Sequence, residues 1–373
     1  MLTKKYKHLI KLCNEYNVPI TYDRKKMFLH AIYVRYILGI GLNEYVRDEY
    51  YGDNGKGLKA YYLHNNTHHS YPWIMCDFVL CRIIYALRID EYFRNEFFDL
   101  RWGARNEFLT YGKMLKMMDL CNMSTKVPDI DNKEKFNHTF SSFLKRRWID
   151  MEKISYEEFE DFANSVTTGF LKYSDGLQGI GAKKVDFEKE NLKKVYENYY
   201  GKRIVIEELV QQHHELAEFN ESTVNTIRVV TFRCVDDTII ILGAAIRIGR
   251  SNQVADNFHM NGLAADIDVD TGVVSGRAVD ARGNRFLLHP DSGKIIPGYK
   301  IPQWEIVKQE VRKAAQSIPE VRYVGWDVAI REDDICFIEG NSDACPDVLE
   351  MTVRRGVWKK LKPLVEAVAK GYK

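Results

Sequence analysis

The chain has 373 residues, 45% hydrophobic and 28% charged, with a net charge of +2. That length and composition suit a core-forming protein of about two or three domains. So small a net charge excludes a global electrostatic pull toward nucleic acid or an anionic membrane, and no nucleic-acid partner is expected.

The cysteines are Cys13, Cys76, Cys81, Cys121, Cys234, Cys336 and Cys345; seven is an odd count and no CxxC occurs. This suits a reducing compartment rather than a disulfide framework. The N-terminal MLTKKYKHLIKLCNEYN is basic but has no uninterrupted apolar run, unlike a signal peptide. The most apolar stretch, Pro72 to Ile89, is interrupted by Asp77, Arg82 and Arg88, too many charges for a bilayer span. A cytoplasmic protein without a membrane span is expected.

Three regions follow in order: 1–125, 126–202 and 203–373. The first reads as helical and aromatic. Within it RYILGIGLNEYVRDEYY, starting at Arg35, returns at Arg82 as RIIYALRIDEYFRNEFF. Glu44, Arg47 and Glu49 match Glu91, Arg94 and Glu96 in phase. The echo predicts a duplicated helical hairpin with its aromatics in the core and its charges paired to one another.

In the second region Val127–Asp131 reads as a linker and Lys133–Trp148 as a helix. Ser155 with Glu158 forms a capping box, followed by Phe159, Phe162 and Val166 at helical spacing. Gly169–Tyr173 is a short strand running into a glycine-rich turn.

The third region is strand-rich. Ile204–Val210, Val224–Cys234 and Thr238–Gly249 read as strands, the last two joined by Val235-Asp236-Asp237. Pro302–Ser317 reads as a helix with proline first. Arg322–Ile330 and Ile335–Glu339 form a hairpin, and Val353–Lys370 a terminal helix.

Three groups could carry chemistry. Asp327 interrupts an apolar strand, and Glu339 ends the apolar run Ile335–Ile338, with Asn341 two residues on and on the same face. If residue 327 pairs with residue 339, which an odd-numbered loop such as Glu332-Asp333-Asp334 would give, three oxygen ligands converge as Mg²⁺ requires; a solvated acidic hairpin is the alternative. Lys172 on a strand precedes Gly176, Gly179 and Gly181, which would let backbone N–H groups approach phosphate oxygens; a flexible turn is the alternative. Arg228 and Arg247 lie in apolar surroundings on neighbouring strands and suit an anion such as a transferring phosphoryl group, or else salt bridges at strand edges. His64, His68 and His69 lack a completing carboxylate or cysteine in sequence, and His213-His214 follows a strand; both read as structural or surface groups.

The order NKEKFNHTF…RRWID, FLKYSDGLQGIG, IVIEEL, STVNTIRVVT, ILGAAIRIG…VADNFHMNGLAADID and GWDVAI…FIEGN resembles the ATP-grasp superfamily, more narrowly its sugar-transfer-associated family, and also glutathione synthetases and glutamate-adding ligases. The resemblance implies an α+β ATP-grasp fold, two lobes clasping ATP behind the helical N-terminal region. It implies that Lys133, with Lys135 as the alternative, and Lys172 meet phosphate, that Gly176, Gly179 and Gly181 form a lid, and that Glu207, Glu208, Leu209 and Val210 form the adenine hinge. Asp327, Glu339 and Asn341 would hold two Mg²⁺ ions, and Arg228, Arg247 and Asn257 would stabilise the γ-phosphate. Many ATP-grasp ligases carry an arginine two residues before the metal aspartate; here that position is Gly325, so Arg228 or Arg247 takes over its work. The implied activity is Mg-ATP-dependent ligation of a small-molecule carboxylate to an amine, on a cell-surface saccharide precursor in the family's context. A kinase on the same fold and a non-catalytic nucleotide-binding scaffold are the competing expectations.

Overall fold

The computed structural model describes residues 57–65, 67–123, 125–174, 181–251, 256–258 and 261–371. Contacts divide the chain into a first unit, running to Arg105 and including Thr110–Lys113, and a second made of Asn106–Leu109 and the chain from Met114 onward. The division comes earlier than the boundary expected at residue 125.

The first unit contains α1 (Leu58–His64), α2 (Tyr71–Tyr85), α3 (Ile89–Arg94), a 3-10 turn (Phe97–Asp99) and α4 (Trp102–Arg105). Helix α2 starts where Pro72 fits the first turn and stops at Ala86, whose φ of 51° is left-handed. It buries Ile74, Phe78, Val79 and Cys81. Tyr92, Phe93 and Phe97 complete this core, with Phe78 and Tyr92 edge to face at 5.3 Å. Tyr92, Phe93 and Phe97 belong to the second copy of the sequence echo, and its Arg94 pairs with Asp90. The first copy, Arg35 to Tyr51, lies outside the described residues. A buried polar cluster sits in this core: Asp77 accepts from Arg105 at 2.7 Å and from the Tyr92 hydroxyl at 2.7 Å. Helix α5 (Tyr111–Cys121) follows.

The second unit holds two antiparallel sheets. The smaller has the order β1-β4-β2-β3, from Trp148–Asp150, Ile204–Glu208, Thr168–Tyr173 and Lys183–Asp186. It therefore takes in Ile204–Glu208, past the boundary expected at residue 202. Helix α9 (Tyr156–Ser165) begins with the predicted Ser155/Glu158 capping box. It buries Phe159 and Phe162 with Leu171, Ile204 and Ile206 of the sheet, and α10 (Leu192–Tyr199) adds Val195.

The larger sheet has the order β11-β10-β5-β6-β7-β8-β9. Its strands are β5 (Thr226–Arg233), β6 (Ile239–Ile248), β7 (Leu263–Ile267), β8 (Ala278–Val279), β9 (Arg285–Phe286), β10 (Tyr323–Ile330) and β11 (Ile335–Asn341). Helix α11 (His214–Ala217) precedes β5, and helix α12 (Trp304–Ser317) packs Val307, Val311 and Ala314 in one core with Val229, Ala244 and Ile246. Helices α13 (Asp347–Val353) and α14 (Trp358–Gly371) share a second core with Val230, Phe232 and Ala245, residues of the opposite pleat.

Four expectations need correction. Val127–Asp131 is not a linker: Pro128–Asp131 is a helical turn (α6) that buries Ile130. Lys133–Trp148 is not one helix. It forms α7 (Lys133–Thr139) and α8 (Ser141–Leu144), turns at Lys145 (φ 52°), and sends Trp148 into β1 opposite Glu207; strand pairing overrides the helical period. Pro302 lies outside the helix, which starts at Trp304 after a left-handed Gln303 whose amide donates to the Arg331 carbonyl at 2.7 Å. Val353–Lys370 is two helices broken at Arg354 (φ 53°). Nearby Gly356 passes so close to the Glu107 backbone that a Cβ would lie 2.0 Å from its carbonyl oxygen.

Candidate functional site

The site is assembled from two walls. In the larger sheet Asp327 on β10 stands directly opposite Glu339 on β11 and Arg228 on β5. The loop between β10 and β11 is even, four residues from Arg331 to Asp334, because Ile330 pairs with Ile335. That register alone would set Asp327 opposite Ile338. An irregularity at Asp327/Val328, with Val328 facing Phe337, leaves Ile338 as an extra residue and brings Glu339 opposite Asp327. The expected pairing forms, therefore, through a bulge rather than an odd loop.

Asp327 is buried and held by two guanidiniums. Arg228 donates to both its oxygens, at 2.5 and 2.8 Å, and Arg247 donates at 2.7 Å. Burial alone would raise this carboxyl's pKa; Arg228 first and Arg247 second overcome it and hold the group well below the usual carboxylate range. Glu339 is driven the other way, raised by burial and by the Asp327 charge, against the pull of Lys172, Lys133 and Arg247. The two carboxyls share a hydrogen bond. Two acids obliged to share a proton are a place where a cation fits. Beside them the Asn341 amide has a buried nitrogen with no hydrogen-bond partner, and rotation of that amide would present its oxygen instead. Asp327, Glu339 and Asn341 therefore suit Mg²⁺, a hard ion that takes oxygen ligands.

Arg247 bridges Asp327 and Asp256, meeting the latter at 3.0 Å. Asp256 also accepts from the Thr226 backbone N–H at 2.9 Å and from its hydroxyl. Arg228 performs a different task. The space above Gly325 is filled by Ala344 and by the Arg228 side chain, whose Cδ would lie 3.3 Å from an added Cβ. The space that a side chain at position 325 would fill is thus taken in part by Arg228, reaching across from the adjacent strand.

The smaller sheet supplies the facing wall. Lys172 on β2 donates to Glu207 on β4 at 2.8 Å, and Glu207 also receives Arg146 at 2.9 Å and the Asn137 amide at 3.0 Å. Burial would raise Glu207; Arg146 and then Lys172 outweigh it and bring the carboxyl down to about 2. The Glu208 carboxylate accepts the Arg147 N–H at 3.0 Å. Neither hinge carboxylate is therefore idle, and Glu207 serves to orient Lys172. The backbone N–H groups of Glu208 and Leu209 bond the Arg147 and Thr168 carbonyls.

A cavity of about 410 Å³ lies between the walls, lined among others by Lys133, Lys172, Glu207, Glu208, Leu209, Val210, Arg247, Asp256, Asn257, Asp327 and Glu339. That volume suits a drug-sized ligand. Lys135 is exposed and does not line it, which distinguishes the two candidate lysines. Arg228 and Asn341 also lie outside the lining set: Arg228 supports Asp327, and Asn341 sits beside Gly325 on β11. Gly176 and Gly179 fall outside the described residues. Gly181 has φ +76°, and the Tyr173 ring lies 2.8 Å from where its Cβ would be. Lys184 spans from β3 to the Ser222 carbonyl at 2.9 Å.

The sequence runs that carry the resemblance contain Arg146, Asn137, Thr226 and Asp256 but gave none of them a role. Arg146 and Asn137 lie within what read as one long helix. Asp256 stands in the run VADNFHMNGLAADID, where the role was expected of its neighbour Asn257. Among the described residues no helix is long and apolar enough to cross a membrane.

A sequence model of the sugar-transfer associated ATP-grasp family matches residues 193–366. Among solved structures, ATP-grasp ligase PsnB complexed with a phosphomimetic variant of its minimal precursor, Mg and ADP aligns at 14% identity, covering 70% of this chain and 66% of that one, with a TM-score of 0.41. D-alanyl-alanine synthetase A from Vibrio cholerae aligns at 9% identity, over 69% of this chain and 73% of that one, with a TM-score of 0.43. The chain thus spans about two thirds of the length of the PsnB structure it matches. A search of curated proteins returned no match.

Proposed function

We propose that this protein, whose residues 193–366 match the sugar-transfer associated ATP-grasp family, is an ATP-grasp enzyme: a Mg-ATP-dependent carboxylate–amine ligase working through an acyl phosphate. The observation that carries the reading is the cross-strand pair Asp327–Glu339, set beside Arg247 on one wall of a cavity whose other wall presents Lys172.

Carboxylates do not react with amines unaided. In the proposed reaction a substrate carboxylate oxygen attacks the γ-phosphorus of ATP, and the bond to the β–γ bridging oxygen breaks, releasing ADP. The amine then attacks the acyl carbon, phosphate leaves, and the amine gives up a proton. Most of the protein's contribution is position and charge. Lys172, oriented by Glu207, and Lys133 would meet phosphate oxygens. Arg247, held by Asp256, would face the charge that develops on the phosphoryl group. Asp327, Glu339 and Asn341 would hold Mg²⁺, which neutralises phosphate charge when bound. The turn entering at Gly181 and the Lys184–Ser222 contact would keep water away from the acyl phosphate. A cell-surface saccharide precursor as the acceptor follows the family's description alone.

A hydroxyl-phosphorylating kinase needs a base at the γ-phosphate. Asp256, the buried carboxylate beside Arg247, has both oxygens occupied, by Thr226 and Arg247. This favours an acyl acceptor, whose carboxylate needs no base.

The test is calorimetric titration of ATP, with and without Mg²⁺, into the wild type and Glu339→Gln, followed by ADP and phosphate assays on carboxylate–amine mixtures. Magnesium-dependent binding that weakens in the variant, with ADP and phosphate release needing both substrates, is expected. ADP release with a hydroxyl acceptor and no amine would make it a kinase, and a folded wild type that binds no ATP would leave a scaffold.

A further inference from the structure

In the first unit, HNNTHHSYPW supplies His68 and His69 without a nearby acid in sequence. The fold provides one. Asp99, at the end of the 3-10 turn, places a single carboxylate oxygen 3.7 Å from His68 Nδ1 and 3.4 Å from His69 Nε2. All three ligand atoms lie within 4.8 Å of one another.

Those distances have a physical meaning. A charge-assisted N–H···O bond closes to about 2.7–2.9 Å, and these contacts are longer. Ligands bonded at about 2.0–2.1 Å around a tetrahedral ion stand roughly 3.3–3.4 Å apart. The His69–Asp99 contact has that ligand spacing, the His68–Asp99 contact is a few tenths of an ångström longer, and all three atoms are close enough to close on one ion.

The imidazoles are also held. The His69 ring stacks on Trp73 at 3.7 Å and 11°, meets Phe98 at its edge, and touches the His68 ring at 4.0 Å. Its backbone N–H donates to the Thr67 hydroxyl at 3.2 Å. The side chains of His68 and Asp99 are 73% and 43% exposed, so an ion can enter and water can complete its shell.

We propose that His68 Nδ1, His69 Nε2 and Asp99 bind a transition-metal dication of the zinc class. Two imidazoles and one carboxylate select such an ion over Mg²⁺ or Ca²⁺, which prefer all-oxygen shells. A fixed dication here would pin the 3-10 turn to the start of α2, the two ends of the aromatic core that the sequence echo builds.

The test is titration of ZnCl₂ into the nucleotide-free full chain, comparing wild type, Asp99→Asn, His69→Ala and Glu339→Gln, with Co²⁺ absorption in the visible as a second readout. One zinc per chain is expected in the wild type and in Glu339→Gln. Affinity should fall at least about tenfold in Asp99→Asn and His69→Ala, and the cobalt band should disappear in Asp99→Asn. Asp99→Asn keeps the side chain's shape, so a loss there is not a loss of packing. No zinc binding to the wild type would overturn the proposal. So would undiminished binding in Asp99→Asn, and so would loss of the zinc only in Glu339→Gln, which would place the ion at the Asp327 pair.

Discussion

Two buried aspartates, one in each unit, sit under arginine and do different things. Asp77 meets one guanidinium and one phenol, and each of its oxygens has a partner. Arg105 in turn spends its Nε on the Leu100 carbonyl and reaches the Cys81 sulfur at 3.1 Å. That cluster satisfies itself, as a structural ion pair must. Asp327 meets two guanidiniums and a second acid, and its surroundings keep a surplus: Arg247 Nε and Asn341 Nδ2 are buried without hydrogen-bond partners, and a cavity opens beside Arg247. The lesson is that burial and arginine do not mark a site. A group left over after pairing that also faces a cavity, as Arg247 does, is the better sign.

The contrast can be broken most sharply by removing each aspartate. Asp327→Asn is expected to weaken magnesium-dependent ATP turnover by about 10³-fold or more, several kcal/mol of lost charge stabilisation, read as ADP release. Asp77→Ala is expected to cost about 3–5 kcal/mol of stability by leaving Arg105 buried without its carboxylate, read by denaturant melts, while the folded fraction binds Mg-ATP as before. Equal damage to nucleotide binding from both changes would erase the distinction. Glu339→Gln is the cleaner probe of the metal wall, because Asp327 also holds Arg228 and Arg247 in place.

The opposite wall makes a pH prediction. The Glu207 carboxyl falls from its ordinary 4.5 to about 2 on folding. A carboxylate whose pKa is lowered on folding stabilises the protein above about pH 4.5, and the contribution drains away as the pH falls toward about 2. Its size is on the order of 3 kcal/mol. Stability of the wild type should therefore drop across that window, and Glu207→Gln, less stable at neutral pH, should show a flatter profile there. Parallel profiles would mean that Lys172 and Arg146 do not depend on this charge.

Much of this arrangement was legible in the sequence because it sits in strands, where alternation and an out-of-place charge are both visible. Asp327 in an apolar run and Glu339 at the end of another pointed to each other, and Lys172 stood out as a charge on a strand, while Gly176 and Gly179 beyond it lie outside the described residues. What stayed hidden depended on register or on distance. The Ile338 bulge cannot be read from loop length, since an even loop argued against the pairing that forms. Arg146 was hidden by a helical period that the β1–β4 pairing overrides. Asp256 stands in the run VADNFHMNGLAADID but with no sign of its partner, and Asp99 is an ordinary surface-type residue in sequence; only the fold brings them to Arg247 and to the histidine pair.

Asp256 carries the two smaller predictions. If its task is to keep Arg247 aimed at the cavity, Asp256→Asn should slow ADP release by about 10–100-fold, the usual cost of losing a group that orients a site residue, with ATP affinity nearly unchanged. Thr226→Val then removes one of the three groups that hold Asp256 and leaves the backbone N–H and Arg247 in place. A single hydrogen bond to a charged group is worth about 1.5–3 kcal/mol, but the carboxylate keeps two partners, so a loss near the bottom of that range, roughly tenfold in ADP release, is expected. The two changes should not add, since both act through the same guanidinium. A Thr226→Val/Asp256→Asn double variant no slower than Asp256→Asn alone would establish that order of dependence. A double variant slowed by the product of the single effects would show that Thr226 reaches the cavity by another route.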